Sequence, residues 1–199
     1  MSNTTARIAV AYHSGQGHTA RQAEAVAAGA AAVPGAVADL VPLDELTDEV
    51  WQRLAAADAI IFGAPTYMGS PSAVFKAFVE ASVKVWAADL GWRDKIAAGF
   101  TNSKSMSGDK LNSLVDLVVF AAQHGMIWVG LDIYPGWAES TASIEDLNRL
   151  GSYIGAMAQS DADLSAEKAP PETDLRTAAA LGARVATVTL RHQRGSLAA

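Results

Sequence analysis

The chain has 199 residues, of which 50% are hydrophobic and 18% are charged, and its formal net charge at pH 7 is −6. This length predicts a single domain over residues 1–199, and so apolar a composition excludes a generally disordered chain. No apolar run reaches the ~18–20 residues of a membrane span, and the short polar N-terminus lacks the features of a signal peptide. We therefore expect a cytoplasmic protein.

The sequence contains no cysteine. This absence excludes disulfides, thiolate nucleophiles and cysteine metal sites, so any redox chemistry must use a bound cofactor. The net negative charge and the lack of a basic cluster argue against nucleic acid as a partner.

Short apolar runs alternate with amphipathic stretches along the chain, which predicts strands alternating with helices. The predicted strands are residues 7–12, 37–43, 58–64, 95–100 and 126–131. The predicted helices are residues 19–32, 48–57, a helix capped by Ser70 that runs towards Trp86, 109–123 and 172–191. This alternation predicts an α/β fold with a parallel sheet covered by helices on both faces.

Residues 132–171 are the exception, because they show no sustained periodicity apart from a short helical piece predicted at 144–150. So long an irregular segment in one domain is usually functional. Its aromatic residues Tyr134, Trp137 and Tyr153 predict a lid or a subunit interface.

The loop after the first strand has the composition of a phosphate site. Two glycines, Gly15 and Gly17, allow a tight turn, and Ser14 and Thr19 supply hydroxyl groups. The helix that follows directs its free amides and its positive dipole end into the loop. A glycine turn with a capping threonine is the structural alternative.

The same loop also reads as a weak dinucleotide-binding fingerprint, Gly15-x-Gly17-x-x-Ala20, with Asp39 downstream. Two polar residues separate this pattern from its strand, and Asp39 lies inside its apolar run. A two-domain dehydrogenase would also need a substrate domain that the length barely allows. The phosphate-loop interpretation is favoured.

Ligands of open parallel sheets bind beyond the carboxyl ends of the strands. After the third strand, Tyr67 and Met68 would lie at this edge, where an aromatic ring and a thioether suit a flat conjugated ligand. After the fourth strand, residues 101–108 form a polar loop able to contact the edge of such a ring. Ordinary loop packing is the alternative for both. No histidine has metal-ligand spacing with another, so we expect no metal.

Three short sequence segments, in their order along the chain, resemble those of one protein family. Residues 12–19 (YHSGQGHT), 60–69 (IIFGAPTYMG) and 123–126 (QHGM) look like flavodoxin-like FMN proteins of the tryptophan-repressor-binding-protein type of NAD(P)H:quinone oxidoreductase. The resemblance covers nearly the whole chain. It implies a five-stranded parallel sheet in the order 2-1-3-4-5, with FMN at its carboxyl edge and NADH or NADPH as electron donor.

The resemblance also implies residue roles. The implied FMN contacts are Ser14, Gly15, Gln16, Gly17, His18 and Thr19 at the phosphate, Pro65, Thr66, Tyr67 and Met68 beside the ring, and Asn102, Ser103, Lys104, Ser105, Ser107 and Gly108 in the third loop. His124 is implied as a catalytic residue near the ring, and Trp86 as a substrate contact that often crosses a subunit boundary. Because the family forms tetramers, we expect a homo-oligomer, either a tetramer or a dimer.

The sequence departs from the family pattern in two loops. Tyr67-Met68 stand where an arginine–aromatic pair is usual, and the third loop carries Lys104 instead of a threonine- and glycine-rich run. These changes leave the acceptor undecided. A quinone reductase is favoured; the alternatives are a flavodoxin-type electron carrier, a reductase of free flavin, azo or nitro compounds, and a binding module without redox activity.

Overall fold

The computed structural model describes residues 5–196. The strands are β1 (Ala6–Tyr12), β2 (Ala36–Pro42), β3 (Ala59–Tyr67), β4 (Ser70–Pro71), β5 (Ile96–Ser103), β6 (Ile127–Trp128) and β7 (Ala156–Gln159). The helices are α1 (His18–Ala31), α2 (Asp48–Ala56), α3 (Ala73–Ala81), α4 (Val83–Ala87), α5 (Lys110–Gln123) and α6 (Glu172–Ser196). None of the helices within residues 5–196 is long and apolar enough to cross a membrane.

The predicted sheet order is confirmed. The parallel strands follow the order β2-β1-β3-β5-β6, which is the predicted 2-1-3-4-5 once the short β4, antiparallel to β3, is set aside. The central strand β3 is buried along eight of its nine residues because helices cover both faces. One face carries an aromatic cluster that includes Trp51, Phe62, Phe78 and Trp92, and the other is mainly alanine and branched aliphatic residues.

The alanine-rich sequence of α1 has a packing reason. A Cβ on Gly29 of α1 would lie 1.9 Å from the carbonyl oxygen of Ala179 in α6. A Cβ on Gly182 of α6 would lie 2.0 Å from the carbonyl oxygen of Val26 in α1. The two helices therefore pack with their backbones almost in contact, which larger side chains would prevent. This contact holds α1, and with it the loop before it, against the sheet.

The third predicted helix starts later than expected. Ser72 caps α3 by accepting the Phe75 amide at 3.4 Å, whereas Ser70, the predicted cap, pairs with Tyr67 in β4. Asn112 of α5 donates to the Gly69 carbonyl at 2.8 Å and so fixes this hairpin. The same helix ends at Ala81, and a separate short helix, α4, carries Trp86.

The last predicted strand is interrupted. Only Ile127–Trp128 form β6, beside the start of β5; the chain then leaves the sheet and returns as β7 beside the carboxyl half of β5. The Leu131 amide bonds to the Tyr153 carbonyl where the excursion closes. The helical piece predicted at 144–150 is wrong, since that stretch consists of turns. β7 was missed because four residues show too little alternation.

Candidate functional site

The carboxyl ends of β1, β3, β5 and β7 meet at one edge of the sheet and enclose a cleft of about 820 Å³. The lining residues come from four loops: Gln16, His18, Thr19, Pro65, Thr66, Tyr67, Met68, Gly69, Asn102, Ser103, Lys104, Ser105, Gly108, Asp109, Ser160 and Ala162. The structure thus brings the three predicted loops together. It adds a fourth, which lies within the irregular segment 132–171 but was not predicted to line this cleft.

The first loop has the geometry of an anion site. Gly17 takes a left-handed conformation with φ 87° and forms the N-cap of α1 without a side-chain cap. The Ser14 hydroxyl oxygen accepts the Ala20 amide at 3.0 Å, but the amides of His18 and Thr19 have no acceptor within the described part of the chain. Free amides at the positive end of a helix attract a phosphate without help from a lysine or arginine.

The second loop supplies a partly apolar wall. Tyr67 is half-exposed and its hydroxyl lies against Gly15, where a Cβ would come within 2.5 Å of it. Met68 is fully exposed and has a left-handed backbone with φ 50°. Thr66 lines the cleft, yet its hydroxyl is hydrogen-bonded inward to Thr101 and Ser113 at 2.7 Å each. This threonine therefore fixes the loop to the core.

The third loop places a buried amide at the cleft. The Asn102 side-chain nitrogen donates to the Ser160 hydroxyl at 2.8 Å, and its Oδ1 is buried without a hydrogen-bond partner. An unpaired buried acceptor costs free energy unless a ligand satisfies it. Asn102 thus offers an acceptor for an N–H group of a ligand.

The fourth loop, residues 159–166, crosses the phosphate loop. His18 Nε2 donates to the Leu164 carbonyl at 2.8 Å, and a Cβ on Gly17 would lie 2.8 Å from that of Ala166. Gln159 reaches the third loop by donating to the Lys104 carbonyl at 3.1 Å. No sequence motif marks this segment, because its role depends on the return of the chain as β7.

Not all predicted contacts line the cleft. Ser14, Gly15 and Gly17 belong to the first loop but are not among the residues that line the cleft, and Ser107 faces a neighbouring groove. His124 is the largest departure: the fourteen residues of α5 carry it about 21 Å from the third loop to the opposite edge of the sheet.

His124 and Trp86 share a separate groove of about 450 Å³. Ser82 donates its hydroxyl to the Val79 carbonyl, so His124 Nε2–H donates to Ser82 at 2.9 Å. This tautomer leaves His124 Nδ1, which is buried, without a partner. Burial lowers the pKa of His124, which keeps the ring neutral near pH 7. Within one chain, neither residue reaches the cleft.

The cleft fits FMN. It joins unpaired helix-terminal amides, suited to a phosphate, to a wall of Pro65, Tyr67 and Met68 and to the unpaired Asn102 Oδ1, suited to a flat ring with N–H groups. Its volume is that of an ordinary cofactor site. The doubly wound sheet and this cleft define a flavodoxin-like FMN protein.

Comparisons with known proteins give the family. Residues 10–134 match the model of the NADPH-dependent FMN reductases, and the chain belongs to that family. Membership implies FMN as the cofactor and NAD(P)H as the electron donor. The crystal structure of a WrbA-like flavodoxin from Agrobacterium tumefaciens is similar, with 44% identity and a TM-score of 0.74, over 94% of this chain and 99% of that one. The resemblance inferred from the sequence is confirmed.

Curated relatives carry two kinds of name. Flavodoxin FldP of Pseudomonas aeruginosa is 43% identical, over 92% of this chain and 96% of its own. An NAD(P)H dehydrogenase (quinone) of Trichlorobacter lovleyi is 30% identical, over 93% and 98%, and one of Archaeoglobus fulgidus is 31% identical, over 92% and 97%. One of these relatives is therefore named as an electron-carrier protein, a flavodoxin, and the other two are named as enzymes.

Proposed function

We propose that the protein is an FMN-dependent NAD(P)H:quinone oxidoreductase acting in the cytoplasm. The observation that carries this proposal is the convergence of the phosphate loop, the ring wall and Asn102 on one cleft of about 820 Å³. The relatives named NAD(P)H dehydrogenase (quinone) support it. When bound, FMN would supply the redox chemistry, taking a hydride from the nicotinamide and passing two electrons to a quinone.

The residues of the chain bind and orient the cofactor. The His18 and Thr19 amides and the Ser14 hydroxyl would hold the phosphate, and Asn102 Oδ1 would accept from the ring edge. Pro65, Tyr67 and Met68 would flank the ring. The open side of the cleft would let the electron donor and then the electron acceptor reach the cofactor.

A second copy of the chain would complete the site. Trp86 is half-exposed beside His124 at the far edge of the sheet, so we propose that both residues act on the cleft of a neighbouring subunit in a dimer or tetramer. His124 would then hydrogen-bond the quinone or donate a proton to it. Unchanged quinone turnover in His124→Ala would remove this role, and a monomer in light scattering would contradict the assembly.

A flavodoxin-type electron carrier is the second candidate, because the relative FldP is named a flavodoxin. Such carriers dock redox partners through a strongly acidic face. Here the residues lining the cleft include one carboxylate, Asp109, and one lysine, Lys104. This balance favours a small-molecule acceptor, either a quinone or one of the flavin, azo and nitro compounds.

An anaerobic titration tests the proposal. NADPH or NADH is added to the FMN-loaded protein and the flavin absorbance is followed, after which benzoquinone is added. We expect bleaching in a single two-electron step and full recovery with benzoquinone. Slow or absent reduction by both nucleotides, with stepwise one-electron reduction by dithionite, would establish the carrier instead.

A further inference from the structure

A buried lysine lies directly beneath the third cofactor loop. Lys110 is the first residue of α5 and is fully buried. Both placements are unfavourable for a cation, since burial removes its hydration and the start of a helix is positively polarised. Costs of this kind are typical of functional sites, where they are offset by the rest of the fold.

The contacts of Lys110 are with the loop itself. Its Nζ donates to the Ser103 hydroxyl oxygen at 2.8 Å and to the Ser105 carbonyl, which also accepts the Ser103 hydroxyl at 3.2 Å. Gly108 closes the turn with φ 52°, and a Cβ there would lie 2.5 Å from Ser103 Oγ. The lysine therefore fixes the shape of a loop in which Ser103, Ser105 and Gly108 line the cleft.

Among residues 5–196, no carboxylate forms an ion pair with Lys110. The carboxylate of Asp174 on α6 attracts the lysine charge, but Arg149, in the turns before β7, already binds both carboxylate oxygens of Asp174 at 2.7 and 2.8 Å. The three groups together carry one net positive charge. Burial lowers the pKa of Lys110 to about 8; Asp174 opposes this shift and Arg149 adds to it.

We propose that Lys110 is a positioning residue for FMN, which holds the third loop in its binding shape while the lysine is protonated. The inference rests on the proposed cofactor site and adds that cofactor binding is coupled to this proton. Because FMN binding uses the loop shape that the charged lysine holds, FMN affinity falls as the pH rises through the lysine's titration.

The test measures the FMN dissociation constant of apoprotein by fluorescence quenching at pH 7 and pH 9. Wild-type affinity is expected to be up to about tenfold weaker at pH 9. Lys110→Met should bind FMN more weakly than wild type at pH 7. Its affinity should fall less than that of wild type between pH 7 and pH 9, because the titrating lysine is absent. Lys110→Arg keeps its charge at both pH values and retains the affinity that wild type shows at pH 7. Titration of the flavin itself is common to all variants.

Lys95→Met is the matched control. Lys95 lies just before β5, at the other end of the strand, where its Nζ donates to the Ala55 and Ala57 carbonyls; burial also lowers its pKa. This variant is expected to keep the wild-type pH dependence. Apoprotein unfolding in urea gives a second readout: Lys110→Met should be as stable as wild type or more so, because it removes a buried charge.

The results distinguish a failure of the proposed function from a failure of the proposed role of Lys110. If wild type does not bind FMN at pH 7, the proposed function fails. If wild type binds but Lys110→Met shows the same affinity and pH dependence, or loses affinity and stability together, the positioning role of Lys110 is overturned.

Discussion

The two edges of the sheet differ in how their polar groups are paired. At the amino edge, Lys95 binds the carbonyls at the end of α2, and the Asp58 carboxylate accepts the Arg7 amide at 2.8 Å. At the carboxyl edge, the first amides of α1 and Asn102 Oδ1 have no partner among residues 5–196. The comparison shows that one edge stabilises the fold while the other keeps donors and acceptors for a ligand.

His124 is an exception at the amino edge, because its Nδ1 is buried and unpaired; among residues 5–196 the Oε1 of Gln193, near the end of α6, is also buried and unpaired. His124 lies beside Trp86 in the groove that, in our proposal, faces the cleft of a neighbouring subunit. The assembly proposed above would give the His124 Nδ1 a binding partner.

The largest difference between the edges is expected for a pair of glycines. Gly17 at the carboxyl edge and Gly125 at the amino edge both have left-handed backbones, with φ 87° and 69°. Alanine should lower the unfolding free energy by about 1 kcal/mol at Gly125 through backbone strain, and by more at Gly17, where the added Cβ would also lie 2.8 Å from that of Ala166. Only Gly17→Ala should also weaken FMN binding, by about 100-fold, because it distorts several charge-assisted hydrogen bonds to the phosphate. Urea denaturation and FMN titration measure the two effects; equal FMN affinities in the two variants would break the comparison.

A pair of buried asparagines gives the next effect. Asn102→Ala should weaken FMN binding about tenfold, because one buried hydrogen bond to the cofactor is lost. The loss of stability should be small. Asn148 is fully paired: its side chain donates to the Ile133 and Ser152 carbonyls and accepts the Ser152 amide. Asn148→Ala should therefore lower stability by about 2–3 kcal/mol and leave FMN affinity unchanged. The reverse pattern in the same two assays would contradict our assignment of Asn102.

Lowering the pH should reduce the stability of the fold through His124 at the amino edge. Burial lowers the pKa of His124 in the folded state, so below the unfolded value of about 6.5 the unfolded chain binds more protons. This group's contribution to stability is therefore lost as the pH falls below that value. Urea unfolding at pH 7.5 and pH 5.5 should show a smaller loss in His124→Gln than in wild type. An identical loss would mean that His124 does not titrate as inferred.

The smallest effect is expected at Met68. Its left-handed backbone is strained for methionine and relaxed for glycine. Met68→Gly should raise the unfolding free energy by about 0.5 kcal/mol, since the entropy of glycine in the unfolded chain offsets part of the gain. A thermal melt measures the change. A destabilised variant would show that the exposed thioether makes a contact that holds the loop.

The sequence predicts the position of the first loop at the start of α1 because its signals are local. Glycines, hydroxyl groups and a helix start occur within residues 13–20, and the strand order then places the other two loops beside them. The cap of α3 was misplaced since Ser70 and Ser72 both carry a cap signal, and only the pairing of Ser70 with Tyr67 decides between them.

Other parts of the site depend on distant contacts. The fourth loop reaches the cleft only because β7 returns to β5, and Lys110 is buried only because Ser103 and Ser105 fold over it. His124 was predicted near the ring from a resemblance, which gives a residue's identity but not whether its side chain reaches the cleft of its own chain. These features require tertiary structure.

The most direct test of the central claim compares FMN with riboflavin, which lacks the phosphate. Apoprotein is titrated with each at pH 7 under identical conditions. The free amides at the start of α1 predict one site per chain and at least about 100-fold tighter binding of FMN, because the phosphate alone uses them. Equal affinities for FMN and riboflavin would show that the carboxyl edge does not hold the phosphate, and would contradict the site described above.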